Sequence, residues 1–447
     1  MLLIKNPLII NEGQRFKASL LIRGQHIEAI YKDEIPSEIR RKAQIIDAEG
    51  LLLLPGVIDD QVHFREPGLT RKADIYSESR AAAAGGVTSF MDMPNTNPQT
   101  TTVDALNEKF ARAAETSLAN YTFFIGATND NLSELQKEGA RRAAAIKVFL
   151  GSSTGNMLVD NPSTLEQLFS ETGMLIAAHC ESETIIQANI TRYITQYGQD
   201  LDITYHPKIR SAEACFASSS IAVALAQKYD TRLHLFHLST AKELQLLSNY
   251  PLSKKRITAE VCVHHLWFTD EDYLAKGNHI KWNPAIKTRE DRDALRQALI
   301  DDKLDIVATD HAPHLLSEKE GNCLKAASGG PMVQHSLVAM LELCRQRIFT
   351  PELIVRKMSH APADLFQLKK RGYIRQGYYA DLVLVDPNQP WMVSKDNLLY
   401  KCNWSPLEGQ QFTHKVLKTF VNGNLVYDQG TINEQFRGME LEHTTIK

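Results

Sequence analysis

The sequence predicts a TIM-type (β/α)8 barrel carrying a small β-sandwich formed by its N- and C-terminal segments. Three observations predict it. Eight short apolar runs occupy the middle of the 447-residue chain, helical patterns fill most of the gaps between them, and shorter alternating runs return at both ends. Strand–helix alternation repeated eight times is what a closed parallel barrel requires. An open doubly wound sheet also fits the count, but the GxGxxG turn that would follow its first strand is absent.

The first 50 residues hold LLIKNPLII, ASLLIRGQHIEAI and AQIIDAEG, short runs broken by turn residues. The barrel runs follow as LLLLPGVIDDQVHF (51–64), VTSFMDMPN (87–95), YTFFIGAT (121–128) and AIKVFLG (145–151). The second four are MLIAAHCE (174–181), RLHLFHLS (232–239), ITAEVCVHHL (257–266) and DIVATDHAPH (305–314). YSESRAAAAGG, VDALNEKFARAAE and ACFASSSIAVALAQKY carry the helical period between them. The β pattern returns in GYIRQGYYADLVLVDP and HKVLKTFVNGNLVYDQG, where Asn422-Gly423 marks a tight hairpin. These flanks are too short to stand as separate domains. Residues 1–54 and 367–447 are therefore expected to form one composite sandwich beside a barrel of residues 55–366.

Composition narrows the function classes. Fifty Lys+Arg against 53 Asp+Glu leaves a net charge of −3, which speaks against a nucleic-acid binder. No pure apolar run approaches the ~20 residues of a membrane helix, and the N-terminus lacks the pattern of a signal peptide. The six cysteines, at 180, 215, 262, 323, 344 and 402, form no CxxC pair, so a reducing cytoplasmic setting is expected. Fifteen histidines, several beside Asp or Glu at strand ends, point toward a metal site.

Chemistry in such a barrel collects at the C-terminal ends of the strands. Strand one ends Gln61-Val62-His63-Phe64-Arg65, and the strand period puts 61, 63 and 65 on one face. Strand four carries Lys147, strand five ends at His179, strand six at His237 and strand eight at Asp310. Three neutral imidazoles and a carboxylate suit Zn²⁺ with a position left open. A buried ammonium is costly, and it cannot ligate a cation. A desolvated Lys147 amine could instead add CO₂, giving an anionic carbamate whose two oxygens bridge two metals. Asp310 fits either a proton shuttle for water and leaving group or a helix N-cap. Arg65 fits either a bidentate clamp on a substrate carboxylate or a salt bridge to Glu66. Asn95 and Asn283 fit either amide recognition or turn chemistry beside proline. His264 and His265 read as residues behind the ligands or of the core rather than as ligands, and Ser328-Gly329-Gly330 as a lid or a plain loop.

At these residues the sequence resembles the metal-dependent amidohydrolase superfamily, and within it the dihydroorotases. PGVIDDQVHFREPG (55–68), DMPNTNP (92–98), IKVFLGSSTGNM (146–157), AAHCE (177–181), HLFHLST (234–240), AEVCVHHL (259–266) and ATDHAPH (308–314) carry the resemblance in order. It implies that His63, His179, His237 and Asp310 ligate zinc, with Lys147 carboxylated and bridging. It further implies that Arg65, Asn95 and His314 hold the substrate carboxylate and ring, with Asn283 against the ring. The implied reaction is reversible hydrolysis of the cyclic amide of (S)-dihydroorotate to N-carbamoyl-L-aspartate, with a homodimer expected. One position departs. The family's strand-one signature is His-x-His, and its first place here is Gln61, whose amide oxygen is a weak zinc ligand. One zinc per chain is favoured over two for that reason. The same departure keeps open a catalytically silent scaffold for aspartate transcarbamoylase. Another cyclic amidase, an allantoinase or hydantoinase, is the further alternative.

Overall fold

A computed structural model describes residues 1–151 and 157–444. Eight parallel strands form the barrel. Strands one to four are Val57–Val62, Val87–Asp92, Asn120–Phe123 continued by Ile125–Gly126, and Ile146–Leu150. Strands five to eight are Ile176–Cys180, Leu233–Leu235, Ile257–Cys262 and Ile306–Ala308. Each pairs in parallel with the next. The ring closes where Val62 bridges His311 and the His63 amide donates to the His311 carbonyl at 2.7 Å. Strands covered on both faces read as mostly apolar runs, which is why the sequence displays them without a polar/apolar alternation.

The helices pack outside. Ile75–Ala84 starts on a capping box in which Asp74 accepts from the Ser77 amide and Ser77 returns a bond to the Asp74 amide. Among the described residues, 203–229 is the one stretch long and apolar enough to cross a membrane by composition. Its Ala212–Tyr229 helix buries a face of small residues, Ala214, Ser218, Ala222 and Ala226 among them, against the barrel.

Both ends of the chain interleave in the sandwich. One sheet runs in the order His26–Tyr31, Ser19–Arg23, Leu2–Lys5, Gln44–Asp47. In the seven-stranded sheet, C-terminal Leu382–Asp386 lies antiparallel to N-terminal Leu52–Pro55, pairing Val383 with Leu54. Ile4, Ile9, Leu20, Leu53, Leu382 and Phe420 fill the space between the sheets. The Asn422-Gly423 hairpin has φ of 49° and 74°, the double left-handed turn that this dipeptide favours.

Two parts of the segment 367–447 also pack on the barrel. Residues 391–412 place Tyr400, Trp404 and Phe412 in the hydrophobic core of the barrel. Further on, Met439 and Leu441 bond the main chain of Tyr121 on strand three, at 3.0 and 2.8 Å. Large aromatic side chains and an unpaired stretch of strand backbone draw these segments onto the barrel.

Candidate active site

All ten residues singled out from sequence line one cavity of about 340 Å³ at the C-terminal mouth: Gln61, His63, Arg65, Asn95, Lys147, His179, His237, Asn283, Asp310 and His314. Of the motif 146–157, residues 152–156 lie outside the described residues. Three of the ten adopt backbone conformations that L-residues rarely take: Arg65 at φ 67°, His237 at 39° and Asp310 at 45°. Strain of this kind concentrates where side chains must be aimed. Asp59 ties strand one to strand eight, its carboxylate accepting from the Thr309 hydroxyl at 2.6 Å and from the Gln61 amide at 3.3 Å. Burial pushes that carboxyl up to about 7. The buried tie sets the relative height of Gln61 and Asp310.

Two pairs of ligand atoms converge at the mouth. His63 Nδ1 donates to the Asn95 side-chain oxygen at 2.7 Å, and Nε2 lies 3.1 Å from Asp310 Oδ1. An imidazole nitrogen and a carboxylate oxygen this close can share either a proton or a metal ion. Across the mouth, His179 Nδ1 lies 3.0 Å from His237 Nε2. Tetrahedral Zn–N bonds of about 2.05 Å would put neighbouring ligand nitrogens roughly 3.3 Å apart, close to both separations. Burial lowers the pKa of His179 and takes that of His237 well below the usual imidazole value, so both are neutral and able to ligate. His179 Nε2 sits 3.1 Å from Glu181, whose carboxyl is pushed up by burial yet held down at about 2 by Arg210 and His179 itself. That carboxylate orients the ring from behind, as partners of metal-bound imidazoles do.

Lys147 is 1% exposed. Its ammonium lies over the faces of Phe236 and Phe149, at 4.0 and 4.7 Å from the ring centroids. Burial pushes it down to about 7, so a large share is free amine at neutral pH. A free amine is what carbamate formation needs. This donor set therefore fits a divalent metal centre of one or two ions.

A second constellation faces the same cavity. Arg65 Nε donates to the Pro313 carbonyl at 3.0 Å, and Nη2 lies 3.1 Å from His314 Nε2. The salt bridge to Glu66 is not formed; Glu66 accepts from the Ile75 amide and faces Arg112 instead. Asp310 caps no helix, since the next helical turn begins at Leu316. Asn283 Oδ1 is buried without a hydrogen-bond partner, and Asn95 keeps its amide nitrogen for other work once its oxygen holds His63. His264 and His265 are core residues: the first stacks on Trp282 at 4.3 Å, and the second lies 3.2 Å from the Pro284 carbonyl. Ala327 to Gly329 line the cavity, and Lys319 pins them from outside by donating to the Ala327 and Gly329 carbonyls at 2.7 Å each.

Sequence reading missed three contributors. Trp282 lines the cavity and fixes Asp310 by donating from its indole to the Asp310 carbonyl at 3.2 Å. Glu181 was visible in AAHCE, two residues past His179, but its partner Arg210 was not. Beneath the mouth, His234 lies between Asp60 and Glu260 at 3.5 and 3.3 Å, and the two carboxylates outweigh burial to raise the imidazole to about 9. All three depend on contacts between segments far apart in sequence that no local pattern announces.

The model of the Amidohydrolase family matches residues 52–426. A dihydroorotase from Methanosarcina acetivorans is 33% identical over 96% of this chain and 92% of its own length. A dihydroorotase from Halobacterium salinarum is 33% identical over 91% and 97%. Among solved structures, the L-hydantoinase (dihydropyrimidinase) from Arthrobacter aurescens superposes with a TM-score of 0.90 at 26% identity, covering 96% of this chain and 97% of that one. The dihydropyrimidinase from Brevibacillus agri NCHU1002 gives 0.87 at 25%, covering 97% and 96%.

Proposed function

The chain belongs to the amidohydrolase family, and from that premise we propose that it is a dihydroorotase. It hydrolyses the cyclic amide of (S)-dihydroorotate reversibly to N-carbamoyl-L-aspartate, a step of de novo pyrimidine synthesis. The observation that carries this reading is one cavity holding both a convergent ligand set and the neighbouring donors Arg65 and His314, the first of them a cation. A cyclic amide needs the first; a ring bearing a carboxylate needs the second as well.

The metal would be zinc in this reading, held by His179, His237 and a carboxylated Lys147, with His63 and Asp310 available to a second ion that Gln61 would serve poorly. When bound, zinc supplies Lewis-acid activation of water and of the scissile carbonyl. The protein's own groups do the rest. Arg65, Asn95 and His314 fix the substrate carboxylate and ring, and Asn283 faces the ring's amide edge. Asp310, held by Trp282 and poised at His63, takes the proton of the attacking water and returns it to the leaving ring nitrogen. Trp282 and the loop of Ala327 to Gly329 narrow the mouth against bulk water. A cytoplasmic homodimer, with residues 55–366 as the catalytic barrel, completes the proposal.

A comparison of cyclic substrates tests it. Dihydroorotate should be turned over in preference to hydantoin, dihydrouracil and allantoin. A preference for the rings without a carboxylate would assign the chain to another cyclic amidase. No turnover of any of them by zinc-loaded protein would favour the silent scaffold.

A further inference from the structure

Lys72 stands outside the cavity, yet it touches a residue that lines it. Its ammonium lies 3.0 Å from His314 Nδ1 and 3.1 Å from Glu318 Oε1. On the opposite edge of the same ring, Arg65 Nη2 lies 3.1 Å from Nε2. A neutral imidazole has one N–H and one lone pair, so it can accept from only one of these two cations. Burial, Arg65, Lys72 and Lys319 together drive the His314 pKa far down, which leaves the ring neutral. One side must therefore set donor against donor.

The ligand decides which side. The Nε2 edge with Arg65 faces the cavity, whereas Lys72 is not among the cavity's lining residues. A carboxylate entering the mouth can accept from both Arg65 Nη2 and a protonated Nε2, which removes the conflict there. Nothing that enters the cavity can remove a conflict at Nδ1. Glu318 does not relieve it either. Its Oε2 is 3.5 Å from Nδ1, too long for a well-formed hydrogen bond, whereas Lys72 lies 3.0 Å from the same nitrogen.

We propose that Lys72 is a positioning residue for acidic substrates: by donating to His314 Nδ1 it fixes the Nε2–H tautomer, so that Arg65 and His314 present two converging donors to one carboxylate. The proposal rests on the dihydroorotase reading for the identity of the acid, but not for the tautomer. It makes affinity for the carboxylate, rather than the chemical step, the quantity that Lys72 controls.

The test uses zinc-loaded protein with ¹⁵N-labelled histidine, its His314 signal assigned with H314N, together with K72M and K72R. In the wild-type complex with N-carbamoyl-aspartate, His314 should display the Nε2–H pattern of ¹⁵N shifts. K72M should lose that pattern and raise KM for dihydroorotate about tenfold, the scale of one lost charge-assisted hydrogen bond. Its kcat should stay within about twofold, because an interaction equal in ground and transition state alters KM alone. K72R, which keeps a cationic donor, should recover most of both. A wild-type complex in the Nδ1–H form would overturn the proposal regardless of any variant, as would K72M with unchanged tautomer and KM. If wild-type protein fails to turn over dihydroorotate, the functional reading falls, and the ¹⁵N pattern with malonate as the bound carboxylate still decides the role of Lys72.

Discussion

Gln61 occupies the place where an imidazole would complete the ligand set next to His63, and its side-chain oxygen accepts instead from the Cys262 thiol at 3.6 Å. An amide oxygen engaged by a neutral thiol is a poor zinc ligand. Metal analysis after gentle dialysis should therefore give nearer one zinc per chain than two, and Gln61→His should raise the number. Two zincs of equal resistance to chelator would show that Gln61 is no handicap. Arg65→Ala removes a buried fork without touching the ligands. The loss of one charged hydrogen bond, roughly 1.5–3 kcal/mol, should lower kcat/KM for dihydroorotate at least about tenfold at unchanged metal content. At this scale the sequence was informative because each strand-end residue was chemically out of place. Histidines, an Asp and a Lys interrupt apolar runs, and a period of two aims 61, 63 and 65 together. The N-cap reading of Asp310 and the Glu66 bridge of Arg65 fall away only in three dimensions, where no helical turn begins before Leu316 and Glu66 accepts from the Ile75 amide.

At the scale of elements, the segment after strand eight acts through its backbone. Gly329 has a φ of +121°, and a β-carbon there would lie 2.6 Å from the Ala312 carbonyl and 3.3 Å from His314. Gly329→Ala should displace His314 and raise KM for dihydroorotate more than it lowers kcat, as steady-state kinetics would record; unchanged KM would mean that the loop yields without moving the ring. Lys319, 3% exposed, donates to three carbonyls of Lys281, Ala327 and Gly329. Lys319→Met leaves those acceptors unpaired and should cost about 1–3 kcal/mol in denaturant unfolding. The sequence left this stretch between a lid and a plain loop. A polar run with two glycines fits either, and only the buried lysine behind it distinguishes them.

For the whole molecule, the eight barrel strands fall on the eight apolar runs, strand three beginning one residue earlier at Asn120, because burial on both faces leaves an unmistakable mark. The sandwich was less legible. Aromatic residues of the C-terminal segment, Tyr400 and Trp404, serve the barrel rather than the nearest sheet, and hydrophobicity alone does not say which core a side chain joins. The assembled barrel also predicts how activity returns to metal-free protein. The proposed carbamate would form on the free amine of Lys147, which burial pushes down to about 7. Below that pH the amine fraction falls about tenfold per unit. At fixed dissolved CO₂ and zinc, the initial rate of reactivation should follow that fall, and a flat profile from pH 5.5 to 7 would argue against carboxylation. The most direct measurement of the central claim is the conversion of dihydroorotate by wild-type protein supplied with zinc and bicarbonate, followed in both directions by quantifying N-carbamoyl-aspartate. The account predicts turnover each way, abolished by chelator and by Lys147→Ala. No carbamoyl-aspartate from metal-replete protein, or turnover indifferent to the loss of Lys147, would contradict it.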